Sequence, residues 1–333
     1  MRAVWYEQQG AAHDVLHCGQ MPTPVPAPGE VRVRLGASAV NPADANRRAG
    51  RLHLMEYPRI IPNSDGAGVI DAVGPGVNAA RVGQRVWICF GQRSRPFGTA
   101  AEFICLAEDL ACELPAHLSD EEGACLGIPC LTAYCALFGQ GAIEGATVLV
   151  TGGAGAVGHY AIQLAKWGGA RVIATASSRA KLAHATRAGA DVVIDYTAPN
   201  ALEQLRDAAC SGVQRIVDVD AVANTDLVLG AAAEGATWVT YAIGAQATAA
   251  LPMARIIRGN LRLQGLYLSG LHPSRRHEAQ SGVCRWLADR PNAIHTVDSV
   301  HPLHETARAH QAVEAGTKVG TVVVSCGDAA PRH

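Results

Sequence analysis

Three glycines in the middle of the chain have the Gly-x-Gly-x-x-Gly spacing that lets a backbone loop bind phosphate groups. They are Gly153, Gly155 and Gly158, and an apolar run at 148–150 precedes them. The first glycine makes a tight turn, the second lets the backbone approach a pyrophosphate, and the third lets a helix pack closely on the strand. The N-terminus of that helix offers unpaired N–H groups and the positive end of its dipole to the phosphates. The spacing predicts a dinucleotide site that also includes Ala156 and Val157.

A glycine-rich structural turn is the alternative interpretation, because the chain contains 35 glycines. The surrounding pattern favours the dinucleotide site. From about residue 145 to 268, short apolar runs alternate with helical segments, which predicts a parallel sheet covered by helices on both faces. The predicted strands lie at 147–150, 171–176, 192–194, 215–219, 237–243 and 261–268, and the predicted helices at 156–167, 179–188, 201–209, 224–233 and 253–259.

The segments on either side of this alternation have a different pattern. Up to about residue 125, strand-like runs bounded by glycine predict a small β-rich domain. After about residue 268, two helical stretches and a last apolar strand do not continue the alternation, and we expect them to return to the first domain. The predicted fold class is therefore α/β, with a Rossmann-type doubly wound parallel sheet at 126–267 and a discontinuous β-rich domain formed by 1–125 and 268–333.

The end of the second predicted strand indicates which dinucleotide is bound. An NAD site usually places an acid about 20 residues after the loop, where it binds the ribose 2′-hydroxyl. Here no Asp or Glu occurs between Glu144 and Asp191, and Ser177, Ser178 and Lys181 follow the strand instead. Hydroxyls and a cation suit a 2′-phosphate, so NADP(H) is the predicted cofactor rather than NAD(H). The alternative, which is compatible with the first, is that a serine caps the next helix while the cations are solvated.

Further motifs follow one another along the chain. They are the loop at 148–158 with the helix residues 161–166, an Asn-Pro-x-Asp motif at 41–44, a segment at 62–70 similar to Pro-Gly-x-Asp/Glu-x-Ala-Gly, and Thr-Ala-Tyr at 132–134. Together they resemble the zinc-independent quinone oxidoreductases, the zeta-crystallin-like branch of the medium-chain dehydrogenase/reductase superfamily. The resemblance covers about residues 1 to 325. It implies a GroES-like catalytic domain in the β-rich part, a Rossmann domain, a substrate cleft between them, and a homodimer or homotetramer.

The resemblance also implies which residues form the site. Asn41, Asp44 and Thr132 would be the catalytic residues near the nicotinamide. The Asn41 amide would donate to a substrate oxygen, and Thr132 would position the carboxamide or ribose. The alternatives are a turn residue before a proline for Asn41 and a helix-start residue for Thr132. Beyond the glycine loop and the second strand, the residues assigned to the cofactor site are Tyr196, Val222, Tyr241, Ile243 and Gly244.

Three residues depart from the family pattern. Asn46 stands where a tyrosine is frequent, Asn63 replaces a glycine, and Ala223 ends a motif that usually ends in glycine. The missing tyrosine makes the predicted pocket less aromatic, which weakens the case for a quinone over other acceptors.

The predicted reaction is NADPH-dependent hydride transfer to a quinone or a conjugated carbonyl. The hydride belongs to the cofactor, and an acceptor without zinc must be polarised by hydrogen bonds or be electrophilic already. His53 and Tyr57 are weak candidates for the proton donor, and solvent is an adequate source. The alternatives are an enoyl or 2-alkenal reductase acting on an activated C=C bond, and a non-catalytic, crystallin-like NADPH-binding protein.

Metal binding is not predicted. Zinc alcohol dehydrogenases of the same superfamily have a catalytic Cys where 42–44 stand and a Gly-His-Glu where 63–65 stand, and this chain has neither ligand. A structural zinc site needs four ligands, and only Cys89, Cys105 and Cys112 lie near the corresponding region.

The composition argues against other functions. The 28 basic and 29 acidic residues give a formal charge of −1, which is unlike a nucleic-acid-binding surface. No uncharged apolar stretch reaches the roughly 18 residues that a membrane span needs, and the first residues lack signal-peptide features. The ten cysteines contain no C-x-x-C pair and are expected to be free thiols. We therefore expect a soluble, cytoplasmic protein whose partner is a small electrophilic acceptor.

Overall fold

The computed structural model describes residues 1–52, 54–244, 248 and 250–327 of the 333-residue chain. The chain divides into two units. Unit 1 contains Met1–Ile128, Leu287–Pro291 and the described residues from His295 onward, and unit 2 contains Pro129–Trp286 and Asn292–Ile294.

The elements are numbered along the chain. The strands are β1 (Arg2–Trp5), β2 (His17–Gln20), β3 (Glu30–Val40), β4 (Asp65–Val73), β5 (Arg85–Ile88), β6 (Phe103–Ala107), β7 (Ala111–Glu113), β8 (Thr147–Val150), β9 (Arg171–Ala176), β10 (Val192–Asp195), β11 (Val213–Asp218), β12 (Ala232–Thr240), β13 (Arg262–Gly265), β14 (Val297–Pro302) and β15 (Thr321–Ser325). The α-helices are α1 (Ala12–Val15), α2 (Pro42–Arg48), α3 (Asp120–Ala124), α4 (Gly127–Phe138), α5 (Ala156–Trp167), α6 (Arg179–Arg187), α7 (Ala201–Ala209), α8 (Ala221–Ala231), α9 (Met253–Arg258), α10 (Pro273–Asp289) and α11 (Thr306–Glu314). Short 3₁₀ helices lie at Ala79–Arg81, Glu108–Leu110, Leu268–Gly270 and Leu303–Glu305.

Unit 2 is built on a parallel sheet in the order β10–β9–β8–β11–β12–β13. Counted within this sheet the order is 3-2-1-4-5-6, which is the order of a dinucleotide-binding Rossmann fold. Leu149 in β8 is level with Ile173 on one side and Ile216 on the other, and all three are fully buried. Strands covered on both faces are nearly continuous apolar runs in sequence. The predicted doubly wound sheet is confirmed.

The helix predicted at 224–233 begins earlier in the structure. Helix α8 starts at Ala221 because the carboxylate of Asp220 accepts hydrogen bonds from the backbone N–H groups of Val222 and Ala223, at 3.2 and 3.1 Å. An aspartate at the N-cap satisfies donors that the first helical turn leaves unpaired.

The return to unit 1 was predicted at residue 268, and the structure places it at Leu287. Most of α10 therefore belongs to unit 2. The ring of Trp286 packs edge-on against Tyr160 of α5, with 5.9 Å between ring centroids. Near the other end of α10, the Arg275 guanidinium donates to the Gly139 carbonyl at 2.8 Å. These contacts join α10 to unit 2.

Unit 1 contains a mainly antiparallel sheet in the order β14–β15–β3–β4–β5–β7, with β6 also paired to β3. Strand β15 pairs antiparallel with β3, although the two lie near opposite ends of the chain. Alternate residues of β3, including Val31, Val33 and Leu35, are buried in the core of this unit. The discontinuous β-rich domain is confirmed.

Asn63, which replaces a glycine of the family pattern, lies before β4 in the left-handed region, with φ at 72°. Asparagine is one of the few residues other than glycine that tolerate this conformation. The side chain is fully buried: its Nδ2 donates to Ser38 Oγ at 3.0 Å, and its Oδ1 lies 3.0 Å from Nε2 of His310 in α11. The Asn63 side chain therefore fixes the turn by its hydrogen bond with Ser38, and it links the turn to α11 by its hydrogen bond with His310.

His310 is fully buried, and desolvation together with the Arg48 charge lowers its pKa from 6.5 to about 3. The folded protein therefore keeps the imidazole neutral at pH values where the unfolded chain protonates it. A lowered folded-state pKa means that stability is present above pH 6.5 and is lost as the pH falls toward 3.

We expect His310→Gln to remove this part of the pH dependence, because glutamine keeps a donor for Asn63 but does not titrate. Between pH 7 and pH 5, the variant should lose less free energy of unfolding than the wild type, by up to about 1.4 kcal/mol per pH unit. Urea unfolding at both pH values measures the difference, and His304→Gln, at an exposed site, is the control. Equal pH slopes for wild type and His310→Gln would contradict the assignment.

Candidate dinucleotide site

The glycine loop joins the C-terminal end of β8 to the N-terminus of α5. The N-cap residue is Gly155, so no side chain caps the helix, and its first turn contains no acid. The first N–H groups of a helix have no partner within it, and a helix N-terminus without an acid favours an anion. The loop therefore has the donors and the field that a pyrophosphate requires.

A side chain has no room at one glycine of the loop and little room at another. A Cβ on Gly158 would clash with the carbonyl oxygen of Gly152 and lie 2.9 Å from the Cα of Gly153. A Cβ on Gly153 would lie 3.0 Å from the Cβ of Ala174 in β9. Gly152 itself has φ at 64°, in the left-handed region. Helix and strand thus approach each other closely because glycine permits it.

The end of β9 carries the residues predicted to bind a 2′-phosphate. Ser178 is the N-cap of α6, and its hydroxyl accepts from the backbone N–H of Lys181 at 3.4 Å. The first turn of α6 contains no acid. Among the described residues, neither Arg179 nor Lys181 forms an ion pair, while Ser177 is half-buried. The capping interpretation is thus observed for Ser178, and it leaves both cations available to an anion.

The other predicted cofactor residues follow strands of the same sheet. Tyr196 comes directly after β10 and is 48% exposed, and its backbone N–H donates to the Ala176 carbonyl at the end of β9. Val222 lies in the first turn of α8, after β11. Because the sheet is parallel, these residues share its carboxyl edge with the glycine loop.

After β12, the backbone N–H of Tyr241 donates to the Asp218 carbonyl at 3.2 Å. Burial and the Asp218 charge raise the pKa of the Tyr241 phenol. Ile243 is 74% exposed, and Gly244 lies against the Asp220 carboxylate. Residues 245–247 lie outside the described residues. The binding role of each predicted cofactor residue stays a prediction.

Asp218, at the end of β11, is a residue of this site that the sequence did not single out. It is fully buried, and its carboxylate accepts hydrogen bonds from Thr151, Asn224 and Trp238 at 2.6 to 2.9 Å. The only signal in the sequence is an acid at the end of an apolar run, which does not indicate its partners.

Asn41 and Asp44 lie together in unit 1, in a buried polar cluster that also contains Ser64 and Asp65. The Asn41 backbone N–H donates to Asp44 Oδ2 at 2.9 Å, and its Nδ2 donates to Asp65 Oδ2 at 2.7 Å. The Ser64 hydroxyl donates to Asp44 Oδ1 at 2.8 Å. The Ile128 backbone N–H, in the first turn of α4, donates to Asp65 Oδ2 at 2.8 Å. The Asn41 amide is thus bonded within the fold to Asp65, and a hydrogen bond between its side chain and Asp44 also belongs to this cluster.

Burial shifts both carboxyl groups of the cluster toward their neutral forms. Desolvation raises the pKa of Asp44, although hydrogen bonds from Asn41 and Ser64 oppose the shift. Desolvation and the neighbouring Asp44 hold the pKa of Asp65 well above its usual range. Two buried carboxyls so close together disfavour simultaneous ionisation.

The remaining candidates lie elsewhere. Thr132 belongs to unit 2, in α4, and is 5% exposed. Tyr57 packs against the small cluster of Tyr6, Val15 and Ile60, while His53 lies outside the described residues. The catalytic roles of Asn41, Asp44 and Thr132 stay predictions.

Residues 42–44 and 63–65, where the resemblance predicted that zinc ligands are replaced, contribute Asp44, Ser64 and Asp65 to this hydrogen-bonded cluster. Within the part of the chain that the structure describes, no group of three or more His, Cys, Asp or Glu side chains is arranged to hold a metal ion. The ten cysteines are free thiols. No helix among the described residues has the length and apolar character that crossing a membrane requires.

The fold and the loop define a dinucleotide-binding oxidoreductase, and comparisons with known proteins agree. Residues 27–116 match the alcohol dehydrogenase GroES-like domain, and residues 156–289 match the family described as zinc-binding dehydrogenase. A tomato (Solanum lycopersicum) 2-methylene-furan-3-one reductase is 38% identical over 54% of this chain but only 47% of its own length. A rat (Rattus norvegicus) quinone oxidoreductase is 28% identical over 97% of both chains.

Solved structures match nearly the whole chain. An NAD-dependent alcohol dehydrogenase superposes with a TM-score of 0.88 at 31% identity, covering 98% of this chain and 100% of the other. A mycobacterial protein complexed with NADPH superposes with a TM-score of 0.83 at 30% identity, again over 98% and 100%. The chain belongs to the medium-chain dehydrogenase/reductase superfamily, in the branch of the zeta-crystallin-like quinone oxidoreductases. The resemblance read from the motifs is confirmed.

We expect Gly158→Ala to weaken dinucleotide binding by about tenfold or more, because the new methyl group clashes with the backbone of Gly152. Fluorescence titration with NADPH measures the dissociation constant. Gly327→Ala is the control, since a Cβ there meets no atom within 4 Å. An unchanged dissociation constant for Gly158→Ala would show that the close approach of helix and strand is not required.

Proposed function

We propose that the chain is an NADPH-dependent oxidoreductase that transfers a hydride to a quinone or a conjugated carbonyl without a metal ion. The observation that carries the proposal is the uncapped, acid-free N-terminus of α5, next to an end of β9 that has hydroxyls and cations but no acid. NADPH complexes of structural relatives support the choice of dinucleotide.

The residues of unit 2 would hold NADPH, which supplies the hydride when bound. Backbone N–H groups at the start of α5 would bind the pyrophosphate. Ser177, Ser178 and Lys181 would bind the 2′-phosphate, where a cation and hydroxyls form charge-assisted hydrogen bonds. The exposed phenol ring of Tyr196 is proposed to contact the adenine-ribose portion, and Thr132 to position the carboxamide or ribose.

The buried cluster of unit 1 supports a role for Asn41. Asp65 accepts one amide hydrogen of Asn41 at 2.7 Å and thereby fixes the orientation of the amide. The amide is proposed to donate to the substrate oxygen, where negative charge develops during hydride transfer. Asp44 keeps Ser64 and the Asn41 backbone in place, and solvent is the proposed source of the proton.

A reductase of activated C=C bonds is the second candidate. The tomato relative at 38% identity is named for an enone substrate, in which a methylene group is conjugated with a ketone. A hydride acceptor of this kind also needs a polarised carbonyl oxygen, so the same residues would serve both reactions. A non-catalytic, crystallin-like NADPH-binding protein is the third possibility.

A panel of acceptors separates these functions. NADPH oxidation is followed at 25 °C with a simple quinone, an enone and a saturated ketone, each with and without a chelator. Turnover of the quinone or the enone, unaffected by chelator, is the expected result, and their relative kcat/KM assigns the acceptor. Tight NADPH binding without turnover of any acceptor would favour the binding protein, and loss of turnover with chelator would contradict a metal-free reaction.

We also propose a homodimer or homotetramer. Strand β13 ends the sheet of unit 2, and three large apolar side chains in it or close to it in sequence are exposed: Ile257 at 68%, Leu263 at 42% and Tyr267 at 65%. Light scattering at micromolar concentration measures the mass, and a monomer would contradict the proposal.

The proposed compartment is the cytoplasm, which imaging of a fluorescent fusion would test.

Lys181→Ala is expected to raise the KM for NADPH by about tenfold and to leave the KM for NADH unchanged, because only the 2′-phosphate loses a cation. Steady-state kinetics with both dinucleotides give the ratio. Lys166→Ala is the matched control, since Lys166 lies in the last turn of α5 and pairs with Asp191. A preserved NADPH/NADH ratio in Lys181→Ala would remove Lys181 from the site.

A further inference from the structure

The residue before the glycine loop is tied to strand β11 by both its backbone and its side chain. The Thr151 hydroxyl donates to Oδ1 of Asp218 at 2.6 Å and accepts the backbone N–H of Val219 at 3.0 Å. The Thr151 backbone N–H donates to the Val217 carbonyl at 3.0 Å. The loop therefore leaves the sheet from a residue whose position is fixed.

Asp218 extends this attachment to two further elements. Its Oδ1 also accepts Nδ2 of Asn224 in α8 at 2.7 Å, and its Oδ2 accepts Nε1 of Trp238 in β12 at 2.9 Å. One fully buried carboxylate thus connects the carboxyl ends of β8, β11 and β12 with the first turns of α8. A buried carboxylate is tolerated only when its oxygens are satisfied, and the partners here are neutral donors.

The turn that this attachment supports is conformationally unusual. Gly152, next to Thr151, has φ at 64°, and the following Gly153 N–H donates to the Thr175 carbonyl at 2.8 Å. Glycine has the largest conformational freedom to lose, so a left-handed glycine needs fixed neighbours to hold one geometry. Thr151 is the fixed neighbour on the strand side, and Gly153 is the fixed neighbour on the helix side.

Charge alone does not explain an aspartate at this place. The negative charge of the Asp218 carboxylate, close to a loop that binds phosphates, can only repel them. The contribution of Asp218 to the site must then be geometric, through the bonds that it accepts.

We propose that Asp218 is a positioning residue of the dinucleotide site and that it holds the glycine loop in its phosphate-binding conformation through Thr151. The inference rests on the proposed function, because the loop is taken to bind the pyrophosphate of NADPH.

Four single variants test the proposal. Asp218→Ala and Thr151→Val remove the two ends of the bond, and Thr151→Ser keeps the hydroxyl. Thr225→Val is the matched control, because this buried hydroxyl donates to the Ala221 carbonyl within α8 at 2.6 Å. Two quantities are measured below the unfolding temperature of every variant: the dissociation constant for NADPH, and amide hydrogen exchange of 152–155 in the protein without NADPH.

Asp218→Ala and Thr151→Val are expected to weaken NADPH binding about tenfold and to speed exchange in the loop. Thr151→Ser and Thr225→Val should behave like the wild type. The dissociation constant for NADPH of the double variant Asp218→Ala/Thr151→Val should not exceed that of the single variant with the larger effect. Both changes remove the same bond, so their effects should not add.

Additive effects in the double variant, or unchanged loop exchange in Thr151→Val, would overturn the proposal. So would equal weakening by Thr225→Val, which would indicate a general loss of packing. If Asp218→Ala does not fold, the comparison of Thr151→Val with Thr151→Ser decides. A wild type that does not bind NADPH would refute the proposed function, whereas hydrogen exchange in the loop would still test the role of Asp218.

Discussion

The dinucleotide site depends on one steric constraint, which is the close approach of α5 to the loop that precedes it. Gly158 lies against the backbone of Gly152, and a single methyl group at that position has no space. This approach aims the first turn of the helix at the carboxyl edge of the sheet. The cofactor residues predicted after β9, β10, β11 and β12 follow parallel strands of the same sheet, so they reach the same edge.

In unit 1 the organising interaction is electrostatic rather than steric. Asn41, Asp44, Ser64 and Asp65 form hydrogen bonds with one another, at and beside the positions where the resemblance predicted that zinc ligands are replaced. Burial disfavours charge on both carboxyls, and hydrogen bonds replace the neutralisation that a cation would provide. A fixed amide in a dry environment is a stronger donor than the same group in water, which is what an oxyanion requires.

Much of the fold was predictable because burial on both faces makes parallel strands visible as apolar runs. The positions of those strands along the chain, the glycine loop and the absence of an acid at the end of β9 followed from local sequence. Contacts between residues that are distant in sequence could not be predicted in this way. The sequence after residue 268 predicts a helix, but the contact of Trp286 with Tyr160 decides which unit α10 packs against.

The same limit applies to single polar residues. Asp218 and Asp220 occur two positions apart at the end of one apolar run, and nothing local distinguishes them. The first is a buried acceptor for three elements, and the second is a helix cap. Likewise, the buried partner of Asn63 is a histidine 247 positions along the chain, which sequence spacing does not reveal.

Strand β13 has a consequence for the behaviour of the protein in dilute solution. Among the described residues, no strand pairs with its outer edge, and apolar side chains lie beside it. An open strand edge is a template for pairing with any other extended chain. If the proposed assembly covers this edge, dilution below its dissociation constant would expose a surface prone to aggregation. Activity would then be lost faster on storage in dilute solution than in concentrated solution, which is the opposite of ordinary precipitation.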